Sequence, residues 1–239
     1  MKYHSAVTII GPTGVGKTKV AFELARKVGV GEVVNLDKIY TYRGFPISSG
    51  LSDTLKEKGV KKHLYEFLNP DEEIIPAEKY AEMVFETCDK ILSYSELPII
   101  EGGSMTYTPA LLELNQIKNF CQPIVGLRFP KDFDMRGKFI RRVEMALEEG
   151  LLDEVKTNLS KYRNTLIMTD CHAVVPLIKY LDGNIDLEQA KKEIVDRCIV
   201  YADQQLGLFE KYPEIIWLEY DFSRLSLIVD KILTLLPKD

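Results

Sequence analysis

The sequence is poor in the residues and patterns that mark several common classes of protein. It contains 4 cysteines and 3 histidines among 239 residues, and the cysteines are scattered without a C-x-x-C pair. This spacing argues against a structural zinc site and against a disulfide framework, so we expect reduced thiols. No apolar run approaches the roughly 20 residues that a membrane-spanning helix needs. We therefore expect no membrane segment.

Excess positive charge is absent as well. The formal net charge is −5, whereas surfaces that bind nucleic acid broadly are usually basic. Because residues 1–5 lead directly into an apolar run, we expect no leader segment and a cytoplasmic protein. The length, with 46% hydrophobic and 28% charged residues, fits one α/β domain. Nothing in the pattern predicts a large exposed apolar face, so we expect a monomer.

One motif stands out against this background. Residues 11–18 read GPTGVGKT and match the phosphate-binding loop G-x-x-x-x-G-K-[ST] at every position. An apolar run precedes the motif and a helical pattern follows it, which is the context that such a loop requires. Glycines let successive backbone N–H groups turn toward one anion, and the helix start adds its own donors. We expect the Thr18 hydroxyl to be a ligand of Mg²⁺. The residues expected to hold a di- or triphosphate are Gly14, Val15, Gly16, Lys17 and Thr18.

Apolar runs alternate with helical patterns along the rest of the chain. This alternation predicts an α/β fold, a parallel sheet flanked by helices of the kind found in phosphate-loop NTPases. A C-terminal helical portion, at about 131–212, is expected to pack on the sheet within a single domain that spans 1–239. The expected strands are 6–10, 32–37, 97–101, 123–129 and 215–219.

Between the second and third expected strands lies a polar stretch, at about 38–76, rich in glycine, proline and serine. Beside a phosphate loop, a long irregular stretch is typical of a substrate lid or binding loop. Further on, Asp186 with Gln189 three residues later predicts a helix start through a capping box. The expected helices are 17–28, 80–94, 136–162 with a break at Gly150, 186–210 and 222–236.

Ligands of parallel sheets lie beyond the carboxyl ends of the strands. This rule puts the phosphate loop, Asp37 and the segment EGGS at 101–104 on one rim. Asp37 is compatible with three roles: a loop cap, a metal-bound carboxylate of a kinase, or a general base at a substrate amine. Gly102 and Gly103 allow close backbone approach to a ligand, and Ser104 is expected to donate to a phosphate oxygen.

Other polar residues give weaker signals. A lone arginine on a helix, such as Arg197, is usually on the surface, but one that faces the anion loop would clamp a diphosphate. Arg141 and Arg142 are expected on a solvated helix face. For the segment Asp-Cys-His at 170–172 we expect a structural role, because neighbours on a helix point about 100° apart.

In their order and spacing, these motifs resemble those of the isopentenyltransferase family. The resemblance covers roughly 6–219, and it is specific only in combination, because each motif beyond the phosphate loop is weak alone. The segments that carry it are VVNLD at 33–37 with Tyr40 and YRG at 42–44, HLY at 63–65 with LNP at 68–70, PIIEGGS at 98–104, RVEM at 142–145, GLLDE at 150–154, and YA at 201–202 with Gln205 and Phe209.

The family has two main branches, one that prenylates an adenosine in tRNA and one that prenylates a free adenine nucleotide to make cytokinin precursors. The tRNA enzymes carry an inserted helical domain after the Gly-Gly-Ser/Thr strand, whereas here Ser104 is followed closely by the strand expected at 123–129. The segment AVVPL at 173–177 lacks the glycine and the acid of the family pattern, and Asp203 and Gln204 replace the basic pair of the tRNA branch. The resemblance therefore implies an adenylate dimethylallyltransferase with AMP as acceptor, and we do not expect tRNA as a partner.

The same resemblance implies the reaction and the roles of the residues. A dimethylallyl group moves from dimethylallyl diphosphate to the exocyclic N6 amine of adenine, with diphosphate as the leaving group and Mg²⁺ as cofactor. The implied catalytic residues are Asp37, Thr13 and Lys17. The implied diphosphate contacts beyond the loop are Ser104 and Arg197. The implied acceptor contacts are Asp37, Tyr42, Gly102 and Gly103.

Three alternatives stay open. A tRNA dimethylallyltransferase would share the phosphate loop and Asp37. A nucleotide or nucleoside kinase would transfer the γ-phosphoryl group of ATP, but it would need an arginine-rich lid, and the only arginine cluster is Arg141 with Arg142. A non-catalytic relative would account for the altered segment at 173–177.

Overall fold

The structure is a computed structural model that describes residues 3–237. Within them, six parallel strands form one sheet in the order β3-β2-β4-β1-β5-β6. The predicted α/β fold, with a parallel sheet flanked by helices, is confirmed. The strands are β1 (Ala6–Ile10), β2 (Gly31–Asn35), β3 (Lys62–His63), β4 (Leu97–Gly102), β5 (Cys121–Arg128) and β6 (Ile216–Glu219).

β1 and β4 lie side by side in the middle of the sheet, and every residue of both strands is buried. A continuous apolar run such as that of β1 is what a strand covered on both faces requires. In the register, Ile10 lies opposite Gly102 and Asn35 lies opposite Glu101. The carboxyl ends of β1, β2 and β4 therefore meet at one edge of the sheet.

Helices cover both faces of this sheet. They are α1 (Lys17–Val28), α2 (Pro46–Ser49), α3 (Ser52–Lys56), α4 (Ala77–Ser93), α5 (Tyr107–Lys118), α6 (Met135–Glu149), α7 (Leu151–Tyr162), α8 (Leu166–Asp170), α9 (Val174–Leu181), α10 (Leu187–Phe209) and α11 (Leu225–Leu235). α4 and α5 pack on one face, where the rings of Tyr80 and Tyr107 stack with centroids 4.0 Å apart. α1 and α11 pack on the other face around Phe22 and Ile228. In the described part of the chain, no helix combines the length and apolarity needed to cross a bilayer.

Helices α6 to α10 enclose an apolar cluster of their own, which includes Phe139, Val155 and Leu177. Gly150, with a φ angle of 109°, separates α6 from α7 at the predicted break. The predicted capping box at the start of α10 is confirmed. Asp186 accepts the Gln189 N–H at 2.8 Å, and its own N–H donates to the Gln189 side chain at 3.0 Å.

The stretch at 38–76 contains more regular structure than the sequence predicts. It holds a 3₁₀ turn (Ile39–Thr41), the short helices α2 and α3, and the edge strand β3. β3 has 2 residues, so no alternation of apolar and polar residues could reveal it. The helix expected at 222–236 likewise begins with a 3₁₀ turn (Phe222–Arg224) before α11.

One carboxylate fastens α2 to α7. Glu154 accepts the N–H groups of Ile47 at 2.9 Å and Ser48 at 2.8 Å, and also the Ser48 hydroxyl at 2.6 Å. The start of α2 has no side-chain cap from its own N-cap residue, so Glu154 satisfies donors that a helix start leaves unpaired. The stretch at 38–76 is thereby tied to the helical portion.

We expect Glu154→Ala to lower the free energy of unfolding by about 1 to 3 kcal/mol, because the donors of Ile47 and Ser48 lose their acceptor in a partly buried place. Denaturant unfolding measures this loss, and hydrogen exchange should accelerate at 47–49. Glu148→Ala, on the exposed surface of α6, is the control and should change stability by less than about 0.5 kcal/mol. Equal losses in the two variants would contradict this role of Glu154.

Candidate active site

A cavity of about 360 Å³ lies at the carboxyl edge of the sheet, between the strand ends and the helical portion. Its walls come from the phosphate loop, from the segments that follow β2 and β4, and from α2, α6 and α10. Three of the residues predicted for the site line it, namely Thr13, Asp37 and Ser104. The parallel-sheet rule therefore located the cavity correctly.

The phosphate loop has a backbone shape that depends on its glycines. Gly14 and Gly16 have φ angles of 75° and 95°, in the left-handed region that most other residues avoid. A Cβ atom at Gly11 would lie 2.3 Å from the carbonyl oxygen of Leu127, so the loop packs directly on β5. Because α1 begins at Lys17, its unpaired N–H groups add to those of the loop. The loop and the start of α1 thus have the backbone shape that the motif predicts, and we name them the anion cradle.

Lys17 lies close to the carboxylates of Asp37 and Glu101. Its Nζ donates to the Pro12 carbonyl at 3.0 Å. Burial lowers the pKa of Lys17, and the attraction of Glu101 and Asp37 opposes this shift. Burial raises the pKa of Asp37 and of Glu101, and in both cases Lys17 opposes the shift. Attraction within this trio of charges therefore offsets part of the cost of burying each one.

Thr18 and Glu101 form the part of the site that suits a magnesium ion. Thr18 Oγ1 donates to Glu101 Oε2 at 3.0 Å, and the Tyr65 hydroxyl donates to Glu101 Oε1 at 2.7 Å. Mg²⁺ prefers oxygen ligands and usually takes one or two from the protein, with water and substrate phosphates completing the shell. The described residues include no group of three or more His, Cys, Asp or Glu side chains arranged for a metal. An ion beside Thr18 and Glu101 would therefore depend on a bound phosphate.

The backbone that surrounds Asp37 fixes its carboxylate at the cavity wall. Its Oδ1 accepts the Ile39 N–H at 2.9 Å, and its own N–H donates to Asn35 Oδ1 at 2.7 Å. Asn35 is buried and donates in turn to the carbonyl groups of Asp37 and Leu64, both at 2.9 Å. Asp37 therefore caps its own loop, one of the three predicted roles, and this capping orients the side chain in the cavity.

Gln205 on α10 joins the two loops that form the site. It is 1% exposed. Its Oε1 accepts the Thr13 N–H at 2.7 Å, and its Nε2 donates to the Gly103 carbonyl. A Cβ atom at Gly103 would lie 2.8 Å from this Nε2 and 3.1 Å from Lys17 Nζ, so only glycine fits there. Gln205 is 192 positions from Thr13 and 102 positions from Gly103 in the sequence. No local sequence pattern reveals contacts over such separations.

Arg142 is a second residue whose place the sequence did not predict. We expected it on a solvated helix face, but it lines the cavity. A Cβ atom at Gly50 would lie 2.1 Å from its Nη2, so the guanidinium packs against that glycine. The charge of Arg142 lowers the pKa of Lys17 and opposes the rise in the pKa of Tyr40. Arg142 is therefore close enough to the phosphate loop to act on a bound anion.

Three further residues predicted to contact the substrates, Ser104, Tyr42 and Arg197, do not all lie at the cavity. Ser104 lines the cavity, but its Oγ accepts the Tyr107 N–H at 3.1 Å and so caps α5. Tyr42 is buried, lines a separate cavity, and donates its hydroxyl to the Glu72 carbonyl at 3.4 Å. Arg197 is absent from the cavity lining. The structure therefore brings Ser104 to the main cavity and leaves Tyr42 and Arg197 outside it.

The segment at 170–172 also lies at the cavity, although a structural role was expected. The expectation assumed a helix, but the segment passes from the end of α8 into the turn before α9. Asp170 pairs with Lys38 at 2.9 Å, and the ring of His172 lies 4.5 Å from that of Tyr201. Burial, followed by the charge of Arg197, lowers the pKa of His172. His172 therefore contributes an aromatic ring to the cavity wall.

Comparison with known proteins identifies relatives of this chain. A family model named isopentenyl transferase matches residues 4–196. A tRNA dimethylallyltransferase of Macrococcus caseolyticus is 26% identical over 306 aligned positions, which cover 98% of this chain and 96% of that protein. Adenylate isopentenyltransferase 7, mitochondrial, of Arabidopsis thaliana is 29% identical over 64% of this chain and 47% of that protein.

A solved structure shares the fold over almost the whole chain. The crystal structure of a tRNA isopentenylpyrophosphate transferase from Bacillus halodurans matches with a TM-score of 0.81 at 23% identity, covering 98% of this chain and 97% of that one. The alignment with the Macrococcus protein is longer than the 239 residues of this chain. That relative therefore contains inserted segments that this chain lacks.

Gln205→Met keeps the length and burial of the side chain but removes both hydrogen bonds of the bridge. We expect inorganic diphosphate to bind about fivefold more weakly or worse, because the Thr13 end of the anion cradle loses its support. Calorimetric titration with diphosphate measures this effect. Gln116→Met on the exposed face of α5 is the matched control and should bind like the wild type. Unchanged diphosphate affinity in Gln205→Met would show that the bridge does not shape the cradle.

Proposed function

The chain belongs to the isopentenyl transferase family, and we propose that it transfers a dimethylallyl group from dimethylallyl diphosphate to the exocyclic N6 amine of an adenine in tRNA. The observation that carries the proposal is the composition of the cavity. Thr13, in the same loop as Lys17, forms part of one wall, and the carboxylate of Asp37, fixed by the Ile39 N–H, forms part of another. A leaving diphosphate needs the anion cradle, and an attacking amine needs the carboxylate.

The expectation that tRNA is not a partner is wrong. Relatives that match most of the chain carry the name tRNA dimethylallyltransferase. The expectation leaned on the net charge of −5, which sums the whole surface and does not report where cations cluster. It was also based on the absence of the helical domain that tRNA enzymes carry after the Gly-Gly-Ser/Thr strand. That domain concerns how RNA is bound, and its absence leaves the chemistry at the adenine unchanged.

On the donor side, the chain stabilises the charge of the leaving group. As the allylic C–O bond breaks, its electron pair goes to the departing diphosphate oxygen. The loop N–H groups, Lys17 and Arg142 are the donors proposed to meet that charge. Donors aimed in advance at a developing charge commonly lower a barrier by about 3 to 4 kcal/mol each. Thr13, whose backbone is held by Gln205, is the residue proposed to donate to the bridging oxygen.

On the acceptor side, the proposed base is Asp37. The lone pair of the adenine amine forms the new C–N bond, and the proton that the amine loses passes to the Asp37 carboxylate. Burial raises the pKa of Asp37, which makes the carboxylate a stronger base than an exposed aspartate. A positioned general base typically contributes a factor of about 10² to 10⁴ to the rate.

Thr18 and Glu101 are the residues proposed to hold Mg²⁺. When bound, the ion supplies positive charge at the departing diphosphate. Tyr65 donates to Glu101 and thereby fixes the orientation of that carboxylate. The buried Glu101 also attracts Lys17. Glu101 would therefore hold both cations of the diphosphate site, Mg²⁺ and Lys17.

A free adenine nucleotide is the second candidate acceptor, as the resemblance implied. Two observations favour it. The plant adenylate enzyme matches part of the chain, and α5 ends at Lys118 immediately before β5 begins at Cys121. No inserted domain fits between these two elements. This acceptor is less well supported than tRNA, because the relatives that match most of the chain are named for tRNA.

Incubation with Mg²⁺ and dimethylallyl diphosphate, in parallel with unmodified tRNA, AMP, ADP and ATP, tests the proposal. Mass spectrometry of nuclease digests and of the nucleotides identifies the product. We expect a dimethylallyl group on adenosine from the tRNA reaction. Product from a nucleotide alone would select the second candidate. Consumption of ATP with phosphorylation of an acceptor would exclude prenyl transfer.

Asp37→Asn should lower turnover by about 10² to 10⁴, because the amide cannot take the proton of the amine. Diphosphate affinity should be retained or improved, since a negative charge near Lys17 has been removed. Steady-state kinetics and diphosphate titration measure the two effects separately. Asp89→Asn on the exposed surface of α4 is the matched control. Near-normal turnover in Asp37→Asn would remove Asp37 from the mechanism.

A further inference from the structure

Cations gather beside the phosphate loop, outside the cavity. Lys19 lies in the first turn of α1, and Lys138 and Arg141 lie on α6. We name these three residues the basic patch. Lys19 and Arg141 are exposed and Lys138 is half-buried. None of them lines the cavity, so the diphosphate site described above does not use them.

Carboxylates do not neutralise the basic patch. Within residues 3–237 none of its three cations forms an ion pair, whereas basic residues nearby such as Lys27 and Arg136 do. The charged groups that act on Lys138 are all cations. Burial and then the charges of Arg142, Arg141 and Lys19 lower the pKa of Lys138 to about 8. Like charges held together in this way raise the local positive potential and favour an anionic ligand.

Two acidic residues of the neighbouring turns, Asp134 and Asp221, are engaged elsewhere. Asp134 accepts the Gly137 N–H at 2.8 Å and so caps α6. Asp221 accepts the N–H and the hydroxyl of Ser223 at 3.0 and 2.9 Å. Asp132 is exposed and makes no ion pair among the described residues. The positive potential of the patch therefore remains available to a partner.

Aromatic rings adjoin the basic patch. The ring of Phe133 lies 5.0 Å from that of Phe129 and 5.3 Å from that of Phe222, centroid to centroid. Lys138 Nζ lies 3.5 Å above the Phe222 ring. All three rings are partly exposed. Partly exposed rings beside unpaired cations are the combination with which proteins bind single-stranded nucleic acid, because rings stack bases and cations contact phosphates.

The patch is continuous with the cavity. Phe139 and Arg142 line the cavity from α6, and Lys138 and Arg141 each precede one of them by a single residue. A Cβ atom at Gly14 would lie 3.8 Å from Lys138 Cε, so Lys138 reaches the edge of the phosphate loop. The patch therefore adjoins the edge of the cavity in which the adenine is proposed to bind.

We propose that the basic patch, together with Phe133, binds the RNA strand next to the target adenosine. Lys19, Lys138 and Arg141 contact its phosphates, and the Phe133 ring stacks a neighbouring base. This inference rests on the proposed function in that the acceptor is RNA. A free nucleotide carries its phosphates into the cavity with the adenine and has no use for cations outside it. The patch therefore supplies RNA contacts on a chain that lacks inserted segments of its relative.

The double variant Lys19→Ala/Arg141→Ala tests the proposal, because both side chains are exposed and neither belongs to the diphosphate site. We expect the affinity for unmodified tRNA to fall about tenfold at moderate salt. The slope of log affinity against log salt should become shallower by about 1 for each phosphate contact removed. Fluorescence anisotropy over a salt series measures both. Phe133→Leu should weaken binding at every salt concentration without changing the slope.

The matched control is Lys90→Ala/Lys211→Ala, which removes two exposed charges far from the patch and should leave tRNA affinity within about twofold. Inorganic diphosphate should bind the patch variant like the wild type, which shows that the fold and the cradle are intact. Wild-type affinity and slope in the patch variant would overturn the inference, even where the wild type prenylates tRNA. Loss of tRNA binding in the patch variant supports it, and the product assay decides separately whether tRNA or a nucleotide is prenylated.

Discussion

The site depends on keeping the partly buried cation of Lys17 near the carboxylates of Asp37 and Glu101. Lys17 attracts both Asp37 and Glu101, and this attraction opposes the effect of burial on all three. Without Lys17, the carboxylates of Asp37 and Glu101 would lose the loop cation that stabilises their ionised forms. In the proposed reaction each of the three residues has a different role. Lys17 binds the diphosphate, Asp37 accepts the proton of the amine, and Glu101 orients Thr18.

The trio is assembled from distant parts of the chain, and two contacts hold those parts together. Gln205 ties the phosphate loop to the end of β4, and Glu154 ties the stretch at 38–76 to the helical portion. The cavity lies where these two connections meet. The helical portion therefore does more than cover the sheet, because it holds the phosphate loop, the end of β4 and the stretch at 38–76 in place.

The sequence was sufficient for features that depend on local chemistry. The phosphate loop, the buried runs of β1 and β4, the break at Gly150 and the capping box at Asp186 each follow from neighbouring residues, and each is present in the structure. The carboxyl-edge rule placed Thr13, Asp37 and Ser104 together. Gln205 and Arg142 could not be found in this way, since their contacts join segments far apart in the chain. The expectation about tRNA failed for a related reason, because net charge contains no information about position.

The central claim is that the Asp37 carboxylate takes the proton of the attacking amine, and the pH dependence of kcat/KM tests it most directly. Burial raises the pKa of Asp37, so activity should fall as pH drops through a value above the ordinary aspartate pKa of about 3.9. The account predicts this acid limb in the wild type and its absence from the residual activity of Asp37→Asn. The same limb in both proteins would contradict the account.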